Sequence, residues 1–340
     1  MDSLTQIVLG AAVGEAVLGK KIGNRAFVWG AIAGTIPDLD VITRPFLPMV
    51  QGLSWHRGFS HSLIFFILSS PILAWLASKI HAKRAIPFQQ WFWFFFMITF
   101  THALLDCFTS WGTQLFWPHP WRVHFNNIFV ADPLYTVPFL ITVLLTLFFK
   151  RSNPWRRRIN NAGIIISSAY MLLTIAFKGV IFFELREDLQ AKEINYIQLT
   201  TRPAPLNTVL WIANVELEDE YLLTYRSLLD DEADSISWVS VKKNWHLLEP
   251  YRDNEDLQLL LHLTQGFYVA QDLGEVIQIN DLRFGQQGDL GEDGGDFVFK
   301  YHITPQEDGS ITFEQIDPPR PSMEEAAPMM KELYKRMLSE

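Results

Sequence analysis

Long apolar runs are confined to the first 183 residues of the chain. A membrane-spanning helix needs about 17–25 mostly apolar residues. Three runs fit this length well: residues 59–80, 132–149 and 162–183. A fourth run, residues 91–110, opens with a row of aromatic residues. Two weaker runs, residues 3–19 and 26–42, are rich in glycine and alanine. The pattern predicts six spanning helices, or five if one of the weak runs is re-entrant.

Lysine and arginine in the connecting segments predict how these helices are oriented. Basic clusters at residues 20–25, 79–84 and 150–158 alternate with loops that hold few basic residues. Because basic loops stay in the cytoplasm, the helix after the third cluster runs outward. Residues 184–340 are therefore predicted to lie in the periplasm.

After residue 183 the sequence becomes acidic and mixed polar. Five segments show the partial alternation and turn residues of strands, and two have the pattern of short amphipathic helices. The strands are predicted at 211–217, 221–226, 236–241, 266–279 and 296–303, and the helices at 256–264 and 323–338. We predict an all-α polytopic membrane bundle of about five or six helices over residues 1–183, followed by a β-rich α+β soluble domain over 184–340.

Charge and cysteine content narrow the function classes. The net charge of −9 argues against a nucleic-acid partner, which would require a basic patch. The single cysteine, Cys107, excludes an intramolecular disulfide and a cysteine-rich zinc site. Acidic loops at 230–232 and 291–296 lack EF-hand spacing, so we expect solvated turns rather than calcium sites. The start, Met1–Ser3, lacks the positive charge of a cleavable signal peptide, so we expect the first apolar segment to be retained.

Histidines and aspartates recur in three stretches of the membrane half. His102 and Asp106 are four residues apart, so on a helix they share one face. The predicted topology brings all three stretches to the outward face of the membrane. Their candidate residues are Asp38, Asp40, His56, His61, His102 and Asp106.

Imidazoles and carboxylates together suit a divalent metal such as zinc. Such a metal could lower the pKa of a bound water toward about 7 and supply a hydroxide nucleophile, while an uncoordinated carboxylate could serve as the base. Taken singly, the stretches are also explained by a helix cap, interfacial histidines or an internal hydrogen-bonded pair. Ionisable groups at membrane depth are costly, so their coincidence at one face favours a metal site.

At these residues the chain resembles the YdjM-like family of inner-membrane-associated metal-dependent hydrolases, over about the first 180 positions. The motifs that carry the resemblance are MDSLTQ at 1–6, GTIPDLD at 34–40, HRGFSHS at 56–62 and THALLD at 101–106. The His-x-x-x-Asp spacing of the last motif also resembles part of zinc-dependent phospholipase C sites. The sequence departs from the family pattern at Gln6, where many relatives have histidine.

The resemblance implies a membrane-bound hydrolase with a His/Asp metal site. The expected metal ligands are His56, His61, His102 and Asp106. Catalytic roles are expected for Asp38 and Asp40. The residues expected to support the ligands or to contact substrate are Gln6, Arg57, Ser60 and Thr101.

We therefore predict a multi-pass protein of the bacterial inner membrane that holds a divalent metal, Zn²⁺ in the first instance. A metal-activated water would attack an ester or phosphoester, with lipids among the expected substrates, at the periplasmic membrane face. The partners are then the lipid bilayer, the substrate and an envelope protein bound by the C-terminal domain. Two alternatives stay open. One is a metal-binding or transport protein, although the sequence shows no inverted repeat. The other is a non-catalytic membrane scaffold.

Overall fold

The computed structural model describes residues 1–231, 234–287, 296–316 and 322–339. The chain divides into two compact units, which we call the helical unit and the β unit. The helical unit comprises residues 1–45, 55–175 and 205–207, and the β unit comprises 46–54, 176–204 and 208–340. Of the two predicted acidic loops, Glu232 and residues 291–295 lie outside the described residues.

Helices dominate the chain as far as residue 191. They are α1 (Ser3–Ile22), α2 (Arg25–Thr35), α3 (Met49–Trp55), α4 (Leu63–Ile80), α5 (Phe88–Asp106), α6 (Pro133–Leu147) and α7 (Pro154–Ala191). Short 3-10 helices lie at Pro37–Phe46, Phe59–His61 and Ala82–Arg84. The predicted boundary at residue 183 falls inside α7.

Three helical segments in the described part of the chain are long and apolar enough to cross a membrane. They are Arg25–Phe46, Leu63–Ile80 and Pro154–Ala191, while α6 is apolar but shorter. Only 22% of α4 is buried within the protein, which suits a helix that faces lipid. The predicted order of a helical region followed by a β-rich domain is confirmed. Helices α1 and α5 are not among these three, because the small residues of α1 and the tryptophans of α5 contribute little hydropathy. The number of five or six spans therefore stays a prediction.

Glycine allows α1 and α2 to pack with their backbones in contact. A Cβ atom on Gly30 would lie 2.2 Å from the carbonyl oxygen of Gly10, and a Cβ on Gly34 would lie 2.7 Å from that of Gln6. Small residues permit such close approach between membrane helices. The crossing therefore fixes the end of α2 against the start of α1.

A buried ion pair links α1 to the start of α7. Arg156 donates from Nε and Nη2 to the two carboxylate oxygens of Glu15, each at 2.7 Å. Its Nη1 also donates to Asn24 Oδ1 and to the carbonyl oxygen of Phe149, both at 2.7 Å. Because each charge is met by a bidentate contact, the pair is compatible with burial.

The β unit contains two antiparallel four-stranded sheets. The first is β1 (Gln198–Pro203), β2 (Leu210–Glu216), β3 (Glu220–Ser227) and β4 (Val239–Lys242), in that order. The second is β5 (Tyr268–Asp272), β6 (Ile277–Gln287), β7 (Asp296–Pro305) and β8 (Ile311–Ile316), in that order. Helices α8 (Glu255–Leu263) and α9 (Met323–Leu338) and short 3-10 helices at Trp245–Leu247 and Glu249–Tyr251 complete the unit.

The two sheets pack through apolar inner faces. The core side chains are Tyr221, Leu223, Phe267, Val269, Leu282 and Phe297. Asn214 of β2 donates to the carbonyl oxygen of Leu282 in β6 at 3.0 Å, which ties the sheets together. Strands β1 and β8 were not predicted. Strand β1 mixes polar and apolar residues without clear alternation, whereas β8 does begin with an alternating pattern, Ile311 to Glu314, which the sequence analysis missed.

The glycine crossing generates a stability prediction. We expect Gly30→Ala to lower the unfolding free energy by about 1–3 kcal/mol, since the added methyl group meets backbone rather than a flexible side chain. Gly179→Ala in α7 is the matched control, because a Cβ there meets nothing within 4 Å. Thermal unfolding of the detergent-purified variants measures the difference. Equal midpoints for both variants would show that the crossing tolerates separation.

Candidate metal centre

Four side chains from three distant stretches of the helical unit meet in one group. They are Asp38, His61, His102 and Asp106. One potential ligand atom from each lies within 4.8 Å of the other three. Both histidines and Asp106 are buried, while the Asp38 side chain is 23% exposed. The group therefore has one partly open side, at Asp38.

Local structure explains how each residue reaches the group. Asp38 lies on the 3-10 helix that follows α2. His61 ends the short 3-10 helix before α4, whose first turn is capped by Ser62, the acceptor of a 3.2 Å bond from the Phe65 amide. His102 and Asp106 lie on the last turns of α5 and share one helical face, as their spacing predicts.

The distances within the group are short and similar. His61 Nε2 lies 3.3 Å from Asp38 Oδ1 and 3.3 Å from Asp106 Oδ2. His102 Nε2 lies 3.5 Å from the same two oxygens and 3.2 Å from His61 Nε2. Tetrahedral zinc with bonds of about 2.0–2.2 Å requires donors separated by about 3.3–3.6 Å. Four of the six donor pairs thus have the spacing that such an ion needs, and the His61–His102 pair at 3.2 Å is 0.1 Å shorter.

Hydrogen bonds on the far side of each imidazole orient the rings. His102 Nδ1 lies 2.6 Å from the carbonyl oxygen of Gly34, so Nδ1 carries the proton and donates it. His61 Nδ1 lies 2.9 Å from Ser60 Oγ, and that hydroxyl donates to Asp40 Oδ2 at 2.9 Å. In both rings Nε2 is then left with its lone pair directed into the group. Two such lone pairs 3.2 Å apart repel each other unless a cation or a proton lies between them.

Asp106 has two oxygens in different surroundings. Oδ1 accepts a bond from Gln6 Nε2 at 3.0 Å, lies 3.4 Å from Arg57 Nη2 and contacts the amino group of Met1. Oδ2, which faces both histidines, is buried and accepts no hydrogen bond within the described residues. A buried carboxylate oxygen without a donor costs free energy, so its position suits a cation.

Asp40 and His56 form a separate pair behind His61. His56 Nδ1 lies 3.0 Å from Asp40 Oδ1, and the His56 side chain is 29% exposed. Asp40 Oδ2 lies 3.6 Å from His61 Nδ1 and accepts a bond from the Arg57 amide at 3.0 Å. His56, expected as a ligand, is outside the group of four, and Asp38, expected in a catalytic role, is inside it.

The remaining predicted residues differ in their contacts. Gln6 also donates to the carbonyl oxygen of His102 at 3.2 Å, and Arg57 donates to Thr109 Oγ1 at 2.8 Å. Thr101 Oγ1 donates to the carbonyl oxygen of Met97 at 2.8 Å, within its own helix. Gln6, Arg57 and Ser60 therefore support the group, whereas the Thr101 hydroxyl is directed back to α5.

Three contributors were not predicted from the sequence. The Gly34 carbonyl orients His102, Thr109 holds Arg57, and Arg122 Nη1 donates to the carbonyl oxygen of His56 at 3.1 Å. Backbone carbonyls carry no residue signature, so the role of Gly34 was not visible. The role of Thr109 could have been predicted, because Thr109 lies three residues after Asp106, the last residue of α5.

Two imidazole nitrogens and two carboxylate oxygens are a donor set that zinc and similar divalent ions accept. The orphaned Asp106 Oδ2, the inward lone pairs and the donor spacing all fit a cation at this position. The hydrogen bonds behind His61 and His102 are of the type that supports metal ligands. The fold and the site together define a membrane protein with a candidate divalent-metal centre in its helical unit.

The family of the chain is consistent with this description. A family model described as YdjM inner membrane protein matches residues 1–183, more than half of the chain, and the chain belongs to that family. The apolar helices and the family together make it an inner membrane protein. The matched region contains the whole group of four.

A curated relative supports the assignment. Inner membrane protein YbcI of Escherichia coli (strain K12) is 27% identical over 119 residues, which cover 35% of this chain and 66% of the relative. The chain therefore spans slightly less than two thirds of that relative's length. No solved structure matches the chain.

The group of four generates a prediction about metal content. We expect wild-type protein purified in detergent and saturated with Zn²⁺ to retain about one ion per chain. His102→Ala removes a buried donor and should abolish retention, whereas His56→Ala should keep the ion because His56 lies outside the group. Elemental analysis after gel filtration measures both.

His119→Ala is the matched control for loss of a histidine, since His119 Nδ1 accepts from the Trp121 amide in a loop. Loss of the ion in His56→Ala with retention in His102→Ala would reverse the ligand assignment.

Proposed function

We propose that this protein is a membrane-bound metal-dependent hydrolase whose ligands are Asp38, His61, His102 and Asp106. The observation that carries the proposal is the set of five donor separations between 3.2 and 3.5 Å. A divalent cation held there would polarise a substrate oxygen and acidify water. Relative to the sequence-based assignment, Asp38 takes the place of His56 among the ligands.

The surrounding residues would position the ligands. Asp40 accepts from Ser60 and faces His61 Nδ1, so it would keep the His61 ring oriented and its Nε2 basic. Arg57 and Gln6 hold Asp106 Oδ1, which leaves Oδ2 directed at the group. Asp40 thus fits a positioning role better than that of a base, because it lies on the far side of His61 from the other donors.

The substrate class follows from the open side of the group. Asp38 is the partly exposed donor, and the same 3-10 helix exposes Leu39, Val41 and Ile42 by 52%, 48% and 62%. Exposed apolar side chains next to a polar opening suit an amphiphile. We propose an ester or phosphoester of a lipid, which would present its polar group to the cation and its acyl chains to the apolar side chains.

The membrane topology is part of the same proposal. Basic residues at 20–25, 79–84 and 150–158 would lie in the cytoplasm, with six spans, or five, and residues 184–340 in the periplasm. The group of four would then open at the periplasmic face. The β unit would be available there to an envelope protein partner.

The hydrolase proposal predicts metal-dependent turnover. We expect Zn²⁺-loaded wild type to hydrolyse at least one of three probes: phosphatidylglycerol in mixed micelles, bis(p-nitrophenyl) phosphate, or p-nitrophenyl palmitate. Phosphorus NMR and nitrophenol absorbance follow the products. Asp38→Ala should lower the rate by a factor of about 100 or more, comparable with loss of a residue central to catalysis.

Gly179→Ala, which changes no residue of the group, is the control for effects of purification and metal loading. Zn²⁺-loaded wild type that turns over none of the probes would reject the hydrolase in favour of a metal-binding scaffold. Zn²⁺ uptake into proteoliposomes without hydrolysis would instead support transport.

The topology predicts the compartment of residue 340. Alkaline phosphatase fused after Glu340 should be active, and green fluorescent protein fused at the same place should be dark, because the two reporters mature on opposite sides of the inner membrane. The same pair fused after Lys83, in a predicted cytoplasmic loop, should give the reverse pattern. A fluorescent fusion after Glu340 would place the β unit in the cytoplasm.

A further inference from the structure

Three basic segments meet at the end of the helical unit opposite the metal centre. The group of four lies where α2 and α5 end and where α4 begins, so the start of α2, the start of α5 and the end of α4 form the other end of the bundle. The α6–α7 loop joins them there through contacts of its arginines. Residues 20–25, 79–84 and 150–158 each expose at least three lysine or arginine side chains.

Carboxylates of the helical unit do not balance these cations. Residues 1–183, all of which the structure describes, contain six acidic side chains. Asp2 and Asp132 cap the starts of α1 and α6, and three aspartates lie at or beside the metal centre. Glu15, the sixth, accepts from both Nε and Nη2 of Arg156. The exposed surface at this end of the helical unit therefore carries charge of one sign.

Two of the basic segments contact the third at one backbone carbonyl. Arg84 Nη1 and Arg151 Nη1 each donate to the carbonyl oxygen of Lys21 at 3.2 Å. This carbonyl lies in the last turn of α1, where the helix dipole favours nearby cations. A carbonyl accepts hydrogen bonds without cancelling a positive charge. Each guanidinium has five N–H donors, and the contact with Lys21 uses one of them.

A cavity of about 430 Å³ lies beside this contact. Lys150 and Arg151 line it on one side, and Leu147 and Phe148 line it on another. Phe148 is 85% exposed, although it is apolar. Cations next to an exposed apolar wall suit the level of a bilayer at which headgroups meet acyl chains.

Arg156 holds the walls of the cavity together. Its Nη1 donates to Asn24 Oδ1 in the α1–α2 turn and to the carbonyl oxygen of Phe149 in the α6–α7 loop, both at 2.7 Å. The side chain is only 3% exposed, and its other two nitrogens are held by Glu15. The loop is therefore fixed against the turn by a buried network. A preformed cavity lowers the ordering cost of binding.

We propose that this cavity binds the phosphate group of an anionic phospholipid. Lys150 and Arg151, with Arg84 next to them, would contact the phosphate, and Leu147 and Phe148 would contact the acyl chains. Arginine matches phosphate oxygens with paired N–H donors, and basic pockets between membrane helices bind such headgroups. A free anion would leave the exposed apolar wall uncovered, so a lipid fits the cavity better. The site is independent of the proposed hydrolase activity.

Lipid selectivity of the full chain tests the proposal. Delipidated protein in detergent, without added metal, is titrated with phosphatidylglycerol or with phosphatidylcholine of the same acyl chains, and native mass spectrometry measures the bound fraction. Wild type should bind phosphatidylglycerol about 10-fold more tightly. Lys150→Gln/Arg151→Gln should weaken that binding by roughly 10-fold to 50-fold and leave phosphatidylcholine binding unchanged.

A matched double variant separates a specific site from a merely basic surface. Arg157→Gln/Arg158→Gln removes two exposed cations from the same segment but from outside the cavity lining, and it should keep most of the preference. Equal losses in the two double variants would overturn the proposal. Asp38→Ala should also keep the preference, which distinguishes this lipid from one bound at the metal centre.

Stability and a soluble headgroup complete the test. Without lipid, Lys150→Gln/Arg151→Gln should unfold at the temperature of wild type, because both side chains are exposed. If it unfolds earlier, Lys150→Gln alone decides, since it leaves the contact between Arg151 and Lys21 intact; it should weaken phosphatidylglycerol binding by about 5-fold. Soluble glycerophosphoglycerol has the same headgroup without acyl chains and should bind far more weakly. If it binds as tightly as phosphatidylglycerol, or if wild type shows no preference between the two lipids, the assignment of a phospholipid site is overturned.

Discussion

Burial of two carboxylates and two imidazoles at one point of an apolar bundle is the constraint on which the helical unit depends. Asp106 is surrounded by protein, so its charge must be met by nearby donors and cations rather than by water. Gln6 and Arg57 are the donor and the cation next to Asp106 Oδ1, and the two histidines face Asp106 Oδ2. The inward lone pairs of His61 and His102 leave a position that only a proton or a cation can stabilise. The metal proposal follows from this balance of charge.

The backbone of α1 and α2 serves the same site. Gly30 and Gly34 let the two helices touch, and the carbonyl oxygen of Gly34 accepts a hydrogen bond from His102 Nδ1. Four residues later the chain places Asp38 beside both imidazoles. Close helix packing and ligand orientation therefore depend on one glycine-rich segment. A larger residue in it would disturb both, because an added Cβ meets backbone there.

The two units differ in how far the family explains them. The match to the YdjM inner membrane protein family ends at residue 183, so it includes the group of four and leaves out both sheets. The β unit also buries charged side chains. Asp281 pairs with Arg283, whereas Nε and Nη1 of Arg202 have no hydrogen-bond partner within the described residues. The family therefore bears on the chemistry of the helical unit and not on that of the two sheets.

The sequence by itself predicted the order of a helical region and a β-rich domain, because hydropathy and alternation are local properties of the chain. Its candidates include the four residues that the structure brings together, since histidine and aspartate next to apolar runs are unusual. It did not distinguish Asp38 from His56 as a ligand, because both are potential metal donors next to predicted spans. Only the tertiary structure decided that Asp38 joins His61, His102 and Asp106 while His56 pairs with Asp40. The reason is that ligand geometry depends on separations of a few tenths of an ångström between distant residues, and local sequence patterns do not encode such separations.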